Sequence, residues 1–219
     1  MDFYRLSKDF NYNDVDYAED TDWEGIVCSK YDDHQRAGKR IGKLRIDMPS
    51  KKVGDFLWTS LLSELIITDK VADILIENKV TGYTLKKAEV SNKELPYKLW
   101  EFYVTGWAGI APKSSGIHLK ESCKYCGHLI YSGFDKPEYL IDEKQWDGSD
   151  IFMVWPLPKF IFITEKVANL IKKEQLIGVQ ILSLNELAEY SGGNLSPGKL
   201  SRWMPEEKAK ELGKPLGIY

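Results

Sequence analysis

A strand–helix–strand pattern occurs twice in this 219-residue chain, and it constrains the possible folds more than any other feature. In the later copy, residues 159–182, the apolar run ends at Thr164, a residue type that favours the N-cap of a helix, and Gly178 ends the helical pattern. In the earlier copy, Thr68 and Gly82 stand at the same spacing. An internal repeat of this kind predicts two related structural units. The alternative is that capping and periodicity alone place similar residues in two unrelated units.

The two units predict an α+β fold in two halves that pack as one compact unit. Residues 112–116, which combine proline, serine and glycine, are the best linker candidate. We therefore assign residues 1–112 to an N-terminal half that contains an acidic arm and the first unit. Residues 113–219 form a C-terminal half with a cysteine-bearing hairpin and the second unit. The sequence does not decide whether the two halves share one sheet or form two separate sheets.

The overall composition narrows the class of protein. With 43% hydrophobic residues, including 7 Trp, the chain can bury a sizeable core. The net charge of −3 provides no general attraction to nucleic acid or to an anionic membrane. The apolar runs are too short to span a bilayer, and the start of the chain does not resemble a signal peptide. An odd number of cysteines, 3, argues against a secreted disulfide framework, so we expect a cytoplasmic protein.

An acidic arm lies near the N-terminus, where six carboxylates follow one another with no Lys or Arg among them. They are Asp14, Asp16, Glu19, Asp20, Asp22 and Glu24. One hypothesis is that this arm, which also carries aromatic residues, binds a basic partner. The alternative is a solvated loop, or a loop that pairs with the basic segment that follows. That segment contains Lys39, Arg40, Lys43, Arg45, Lys51 and Lys52.

The only pair of closely spaced cysteines is Cys123 and Cys126, followed by Gly127. Two thiolates at this spacing, with a glycine after the second, are typical of a knuckle, a tight turn whose sulfurs converge on one metal ion. Alone it is half of a site, because tetrahedral zinc needs four ligands. A redox pair would need a helix N-terminus to stabilise the thiolate, but the residues after Gly127 predict a strand. A pair of thiols in an ordinary turn is the remaining alternative.

No motif in the sequence predicts catalysis. The chain has no glycine-rich phosphate loop, no G-x-S-x-G elbow and no H-E-x-x-H helix. Its 3 histidines lie near the cysteines or in the strand that leads to them, and no pair of carboxylates stands out by spacing. We therefore expect a binding protein and not an enzyme.

Three segments together resemble the double-CxxCG motif family, whose members include immunity proteins against bacterial swarming-inhibition and other polymorphic toxins. They are the knuckle at 123–127, the segment 150–156 with the repeat unit that follows it, and the tail at 196–219. The resemblance covers most of the C-terminal half and, more loosely, the first unit. It implies a protein that neutralises a cognate toxin by direct binding. That family carries two CxxCG motifs, which together can complete a four-thiolate metal site.

The first CxxCG motif is degenerate in this chain. Cys28 fits its first cysteine, but Tyr31 stands where the second would be and Asp32 stands where the glycine would be. One thiolate ligand is therefore missing from the site that the resemblance implies.

A nearby side chain can replace the missing ligand. His34 is the nearest candidate of a suitable type, and Asp32, Asp33 and His128 are the others. The resulting hypothesis is a structural zinc site with the ligands Cys28, His34, Cys123 and Cys126. The alternative is that this member has lost the metal.

Three functions remain to be compared. The leading hypothesis is an immunity-type protein whose acidic arm covers a basic toxin, an inference from charge and not from the family. The runner-up is a zinc-ribbon-like nucleic-acid-binding module, which would need the basic segment 39–52 as its contact surface. The third is an enzyme with an unrecognised site.

Overall fold

A computed structural model describes residues 2–50, 52–60, 64–190 and 192–219. The strands, in chain order, are β1 Phe3–Lys8, β2 Asp16–Tyr17, β3 Trp23–Ile26, β4 Arg36–Arg40, β5 Arg45–Asp47, β6 Phe56–Trp58, β7 Leu65–Thr68, β8 Tyr83–Val90, β9 Leu99–Val104, β10 Gly106–Ile110, β11 Leu119–Ser122, β12 Leu129–Ser132, β13 Ile151–Trp155, β14 Ile161–Thr164, β15 Val179–Ser183 and β16 Asn194–Leu195. The α-helices are α1 Asp69–Glu77, α2 Glu165–Lys173 and α3 Glu206–Gly213. The mixture of helices and sheets confirms the predicted α+β class.

Most strands belong to two large sheets. The six-stranded sheet has the order β2-β5-β8-β9-β7-β6, and the five-stranded sheet has the order β10-β13-β14-β1-β15. The three-stranded sheet β11-β12-β16 and the hairpin β3-β4 complete the structure. Each half of the chain therefore builds most of its own large sheet, but two strands of the N-terminal half, β1 and β10, lie in the sheet of the second half.

Both predicted strand–helix–strand units are present, and they share one arrangement. In the first, β7 and β8 both pair antiparallel with β9, which lies between them. In the second, β14 and β15 both pair antiparallel with β1. A short strand forms a hairpin with the first strand of each unit, β6 with β7 and β13 with β14. The central strand follows its unit in the first copy, whereas in the second it comes from the start of the chain.

The helices of the two units begin at the predicted residues but end before the predicted glycines, at Glu77 and Lys173. Lys79 and Gln175, with φ angles of 50° and 51°, turn the chain out of each helix. Thr68 and Thr164 occupy the N-cap positions of α1 and α2, both with extended backbone conformations. Gly82 and Gly178 follow the helices with positive φ angles of 90° and 86°. The apolar face predicted for the second helix is buried, namely Val167, Ala168, Leu170 and Ile171. Neither threonine hydroxyl makes a capping hydrogen bond. The two threonines therefore start the helices through their extended backbone conformation alone.

Matching ion pairs join each helix to the start of its own unit. Lys70 Nζ lies 3.2 Å from Asp55 Oδ2, just before β6. Lys166 Nζ lies 2.8 Å from Asp150 Oδ2, just before β13. The two units therefore repeat side-chain contacts as well as topology.

The same aspartates make the two units contact each other reciprocally. Asp55 of the first unit accepts the backbone N–H of Ile177 in the second, at 3.0 Å. Asp150 of the second unit accepts the backbone N–H of Thr81 in the first, at 2.9 Å. Each contact lies one residue before the glycine that ends the repeat. This exchange of equivalent bonds relates the units by an approximate two-fold axis, which supports the repeat over chance agreement.

Gly82 and Gly178 are required at this reciprocal contact. A Cβ atom at Gly82 would overlap the carbonyl oxygen of Ile151, and one at Gly178 would overlap that of Phe56. Both residues also have φ angles that L side chains rarely adopt. Backbone of the opposite unit therefore passes where a side chain would stand.

We expect Gly178→Ala to lower the free energy of unfolding by about 2–3 kcal/mol, because the strained φ angle and the overlap with Phe56 add together. Gly25→Ala is the matched control: nothing lies within 4 Å of its Cβ position, and its φ angle is not in the left-handed region. Chemical denaturation of both variants checks this prediction. Equal stabilities for the two variants would contradict the close approach.

Hydrophobic residues cover both faces of the first unit's sheet. In β7, Leu65 and Ile67 belong to a large apolar cluster that includes Phe152 and Phe162 of the second half. Ile66, which points the other way, belongs to a smaller cluster on the opposite face. All four residues of β7 are buried, as in strands covered on both sides. One continuous core therefore extends across the division at 112/113.

The segment proposed as a linker, 112–116, is packed into this structure. It contains the 3-10 helix Lys113–Ser115, and Ser115 is fully buried. The carbonyl of Ser115 accepts the backbone N–H of Asp135 at 3.0 Å.

Among the described residues, no helix is both long enough and apolar enough to cross a membrane.

Candidate metal centre

The residues predicted as metal ligands come together in space. The donor atoms of Cys28, His34, Cys123 and Cys126 all lie within 4.8 Å of one another, so these residues could hold a metal ion. Cys28 and Cys123 are buried, and the other two side chains are half-buried. The cluster joins two loops that are 95 residues apart at Cys28 and Cys123.

The C-terminal pair lies in the turn of the hairpin formed by β11 and β12. The N–H of Cys123 donates to the carbonyl of His128 at 2.8 Å, and the N–H of Gly127 donates back to the carbonyl of Cys123 at 2.8 Å. Gly127 has a φ angle of 66°, which explains the glycine after the second cysteine. No helix begins at this turn, which removes the feature that a redox pair would need.

The N-terminal pair lies in the loop of a second hairpin, between β3 and β4. Cys28 follows β3, and the 3-10 helix Asp32–His34 turns the chain before β4. The N–H of His34 donates to the carbonyl of Tyr31 at 3.2 Å and closes this turn. The turn moves the imidazole back towards Cys28, which is how a histidine outside the CxxC spacing reaches the site.

Both loops present backbone amides to a sulfur in the same way. The amides of Lys30 and Tyr31, the second and third residues after Cys28, form hydrogen bonds to its sulfur. The corresponding amides after Cys123 do the same. Burial raises the pKa of the Cys28 thiol, and these amides oppose the rise. The first loop therefore directs two amides at Cys28 in the same way as the second loop directs two amides at Cys123. The Tyr31 side chain in the first loop is exposed.

Two of the separations between donor atoms match those around a tetrahedral metal ion. The sulfurs of Cys28 and Cys123 are 3.8 Å apart, and Cys126 Sγ is 3.6 Å from His34 Nδ1. With metal–sulfur bonds of about 2.3 Å and a metal–nitrogen bond of about 2.0–2.1 Å, tetrahedral geometry places two sulfurs about 3.8 Å apart and a sulfur and a nitrogen about 3.5–3.6 Å apart. The geometry identifies Nδ1 as the histidine atom that faces the site.

Arg36 supports the cluster, and the sequence does not single it out among 30 Lys and Arg residues. Its guanidinium lies 3.6 Å from Cys126 Sγ and donates to the carbonyls of Cys126, at 3.1 Å, and His34, at 2.9 Å. Burial raises the pKa of Cys126, but hydrogen bonds from Arg36, the His128 amide and His34 outweigh it and lower this pKa to about 6. Arg36 therefore positions both loops and favours the thiolate.

The other candidates for the fourth ligand lie outside the group of donors. Asp32 and Asp33 are exposed. The ring of His128 packs edge-on against that of His34, with centroids 4.6 Å apart, and its Nε2 lies 3.0 Å from Ser196 Oγ. Among the described residues, the group of possible ligands contains His34 and none of these three.

The acidic arm lies partly at the surface and partly in ion pairs. Asp14 is half-buried against Lys8, with 2.6 Å between Asp14 Oδ1 and Lys8 Nζ. Asp20 forms an ion pair with Arg45, and Glu24 accepts the backbone N–H of Lys39 at 3.4 Å. The exposed members of the arm are Asp16, Glu19, Asp20, Asp22 and Glu24. A carboxylate-rich surface therefore persists after folding.

The basic segment is largely neutralised by the fold. Lys39 pairs with Glu206 at 2.9 Å, Lys43 with Glu89 at 2.8 Å, and Arg40 with Glu101. Arg45 pairs with Asp20 of the arm, Lys52 lies over the ring of Tyr12, and Lys51 falls outside the described residues. Each described cation of this segment therefore has a carboxylate or aromatic partner, whereas a nucleic-acid-binding module would need a free basic surface.

No protein-family model matches this chain, and a search of curated proteins also gives no match. The resemblance to the double-CxxCG family therefore stays a prediction that rests on the residues quoted above.

Proposed function

We propose that this chain is a zinc-stabilised binding protein in which one structural zinc ion joins the N-terminal arm to the C-terminal half. The ligands are Cys28, His34, Cys123 and Cys126. The observation that carries the proposal is the convergence of three sulfurs and one imidazole nitrogen, from two separate hairpin loops, to within 4.8 Å of one another. Two of their separations, 3.8 Å and 3.6 Å, are those of a tetrahedral site.

The donor set favours zinc in a structural role. Thiolate and imidazole ligands in a tetrahedral arrangement are typical of zinc, and four protein ligands leave no coordination position for a substrate. Three thiolates and a neutral imidazole around Zn²⁺ carry one net negative charge. The guanidinium of Arg36 next to Cys126 offsets this charge.

Metal analysis of protein purified without added zinc tests the site directly. We expect about one zinc ion per chain. Far less than one ion of any metal per chain would refute the proposal. Added Co²⁺ should also give the absorption bands of a tetrahedral thiolate complex, because cobalt accepts the same ligands.

The binding function that we propose is that of a cytoplasmic immunity-type protein, which neutralises a bacterial toxin by covering it. The support is the resemblance together with the degenerate motif, since Cys28 and His34 supply the half-site that the family's first motif would otherwise supply. The second support is electrostatic: carboxylates crowd the surface of the arm, while basic residues of segment 39–52 are paired internally. This charge distribution favours a basic protein partner over nucleic acid.

Co-purification from the native host tests the class of partner. A stoichiometric complex with the product of a neighbouring gene that is toxic when expressed alone is the expected result. Binding of DNA or RNA at low salt, without such a complex, would favour the nucleic-acid alternative instead.

We expect the charge-reversed variant Asp16→Lys/Asp22→Lys to associate with the toxin roughly tenfold more slowly, with a weaker dependence on salt, because exposed charges steer the encounter. The matched control is Asp73→Lys/Glu77→Lys, which reverses two exposed carboxylates on α1. Stopped-flow or surface-based kinetics at several salt concentrations measure both effects. Identical association rates for the two variants would remove the arm from the interface.

A further inference from the structure

A cavity of about 200 Å³ lies where the arm, the first unit's sheet and the C-terminal tail meet, separate from the metal ligands. Trp23 and Trp203 contribute aromatic surface to its lining. Charged side chains converge on it from different elements: Arg40 from β4, Lys86 from β8 and Glu101 from β9. An aromatic-lined cavity with a few convergent charged groups is the usual form of a small-molecule site.

The deepest charges of the cavity belong to a buried network around Arg40. Arg40 and Glu101 form an ion pair with only 9% and 3% of their surfaces exposed. Glu101 also accepts the hydroxyl of Tyr103 at 2.6 Å. Glu64 Oε1 lies 4.0 Å from Arg40 Nε, beyond hydrogen-bond range, and within the described residues that buried Nε–H has no acceptor.

Burying such a network costs free energy, because the charged groups lose their hydration. Apolar side chains of the same volume would stabilise the fold as well or better. Burial raises the pKa of Glu64, although Tyr17 donates a hydrogen bond to it and Arg40 lies nearby. Perturbed ionisable groups in a cavity mark candidate sites, because function can retain what stability alone would not. Arg40 Nε–H is the donor that an incoming acceptor would satisfy.

Two cations at the cavity have no carboxylate partner within the described chain. Lys86 faces Glu101 across the strand pair, and its Nζ lies 4.6 Å from the ring of Tyr103. Arg202 lies over the rings of Trp203 and Trp23, with its Cζ 5.0 Å and 6.0 Å from their centroids. These charges stand beside aromatic surface, so the cavity suits an anion with a flat apolar body.

We propose that this cavity binds a small organic carboxylate, held by Lys86 and Arg202 and stacked against the tryptophans. The volume of the cavity restricts the ligand to a single ring or a single side chain, because pockets for drug-sized ligands have volumes of about 300–1,000 Å³. Such a carboxylate comes either from a free acid or from an acidic side chain of a protein. The proposal depends on neither the zinc ion nor the toxin.

Calorimetric titration at constant ionic strength tests the site with three probes. Benzoate represents a free acid, and benzamide is the uncharged control. The α-amide of N-acetylglutamate, in which only the side-chain carboxylate is free, represents an acidic side chain of a protein. We expect saturable carboxylate binding with a Kd of roughly millimolar, and none by benzamide. Tighter binding of benzoate would identify a free acid as the source, and tighter binding of the blocked glutamate would identify a protein side chain.

Two variants locate the binding. Lys86→Ala and Arg202→Gln should each weaken binding of the better carboxylate by roughly tenfold. Lys87→Ala is the matched control, because Lys87 is the next residue of β8, is opposite Trp100, and is not part of the cavity lining. Thermal melts check that all three variants fold. Equal affinity for benzoate and benzamide, no saturable binding, or equal loss in Lys86→Ala and Lys87→Ala would overturn the proposal.

Discussion

Replacing Cys123 by serine is expected to remove zinc and to lower the free energy of unfolding by about 3–5 kcal/mol, one of the two largest effects that we predict. Serine keeps the size of the side chain but does not provide a thiolate. The loss should be smaller than the binding energy of about 10–16 kcal/mol known for structural zinc, because the core of the two units does not depend on the ion. Metal analysis and chemical denaturation measure the two effects.

The control for this variant is Ser122→Ala, an exposed neighbour in β11 that should change neither metal content nor stability. Hydrogen exchange adds a spatial test. In Cys123→Ser we expect faster exchange in the loops at 27–35 and 123–128, and unchanged exchange in β7 and β14. Full zinc content with unchanged stability in Cys123→Ser would exclude Cys123 as a ligand.

A pair of substitutions tests whether His34 serves as the fourth ligand in place of a cysteine at position 31. His34→Ala alone should lose zinc in the same way as Cys123→Ser. Adding Tyr31→Cys to His34→Ala should restore it, because the amides of Lys30 and Tyr31 already point at the Cys28 sulfur as the corresponding amides point at Cys123. The double variant would then contain two CxxC pairs. Failure of Tyr31→Cys to restore zinc would show that the first loop has lost the conformation of a cysteine knuckle.

Replacing Glu101 by leucine is the second change for which we expect a large effect, a loss of about 3–5 kcal/mol in the free energy of unfolding. The substitution leaves the guanidinium of Arg40 buried without its carboxylate, and also removes the acceptor of the Tyr103 hydroxyl. The cost arises from an uncompensated buried charge, not from the loss of an attractive contact as such. Chemical denaturation at low and high salt measures it.

The double variant Arg40→Met/Glu101→Leu distinguishes these two sources of cost. With both charges removed, we expect stability to return to within about 1–2 kcal/mol of the original chain, although both single variants are strongly destabilised. Glu89→Leu is the matched control, because its pair with Lys43 lies at the surface and should contribute less than about 1 kcal/mol. Additive losses in the double variant would show that the pair itself, and not burial of an unpaired charge, stabilises the fold.

Local signals in the sequence predicted the elements well. Thr68 and Thr164 mark the starts of the two helices, because capping is a property of a few consecutive residues. The helices end at Glu77 and Lys173, before Gly82 and Gly178, because Lys79 and Gln175 adopt positive φ angles that their side chains do not signal. The cysteine turn is local for the same reason. Cys28 and His34 entered the hypothesis through the family resemblance. Proximity in sequence could not choose His34 over Asp32, Asp33 or His128.

The sequence by itself therefore determined the two strand–helix–strand units, the starts of their helices and the types of residue that can bind a metal, but not the strands β1, β2 and β3 of the N-terminal segment. Only the tertiary structure decided which side chains meet: that His34 and not His128 faces the sulfurs, that β1 completes the second unit, and that Arg40 is enclosed with Glu101. The physical reason is the separation along the chain of the residues that interact. Helix ends and turns depend on neighbouring residues, whereas strand pairing and buried charge pairs depend on packing between segments distant in sequence, such as Cys28 and Cys123.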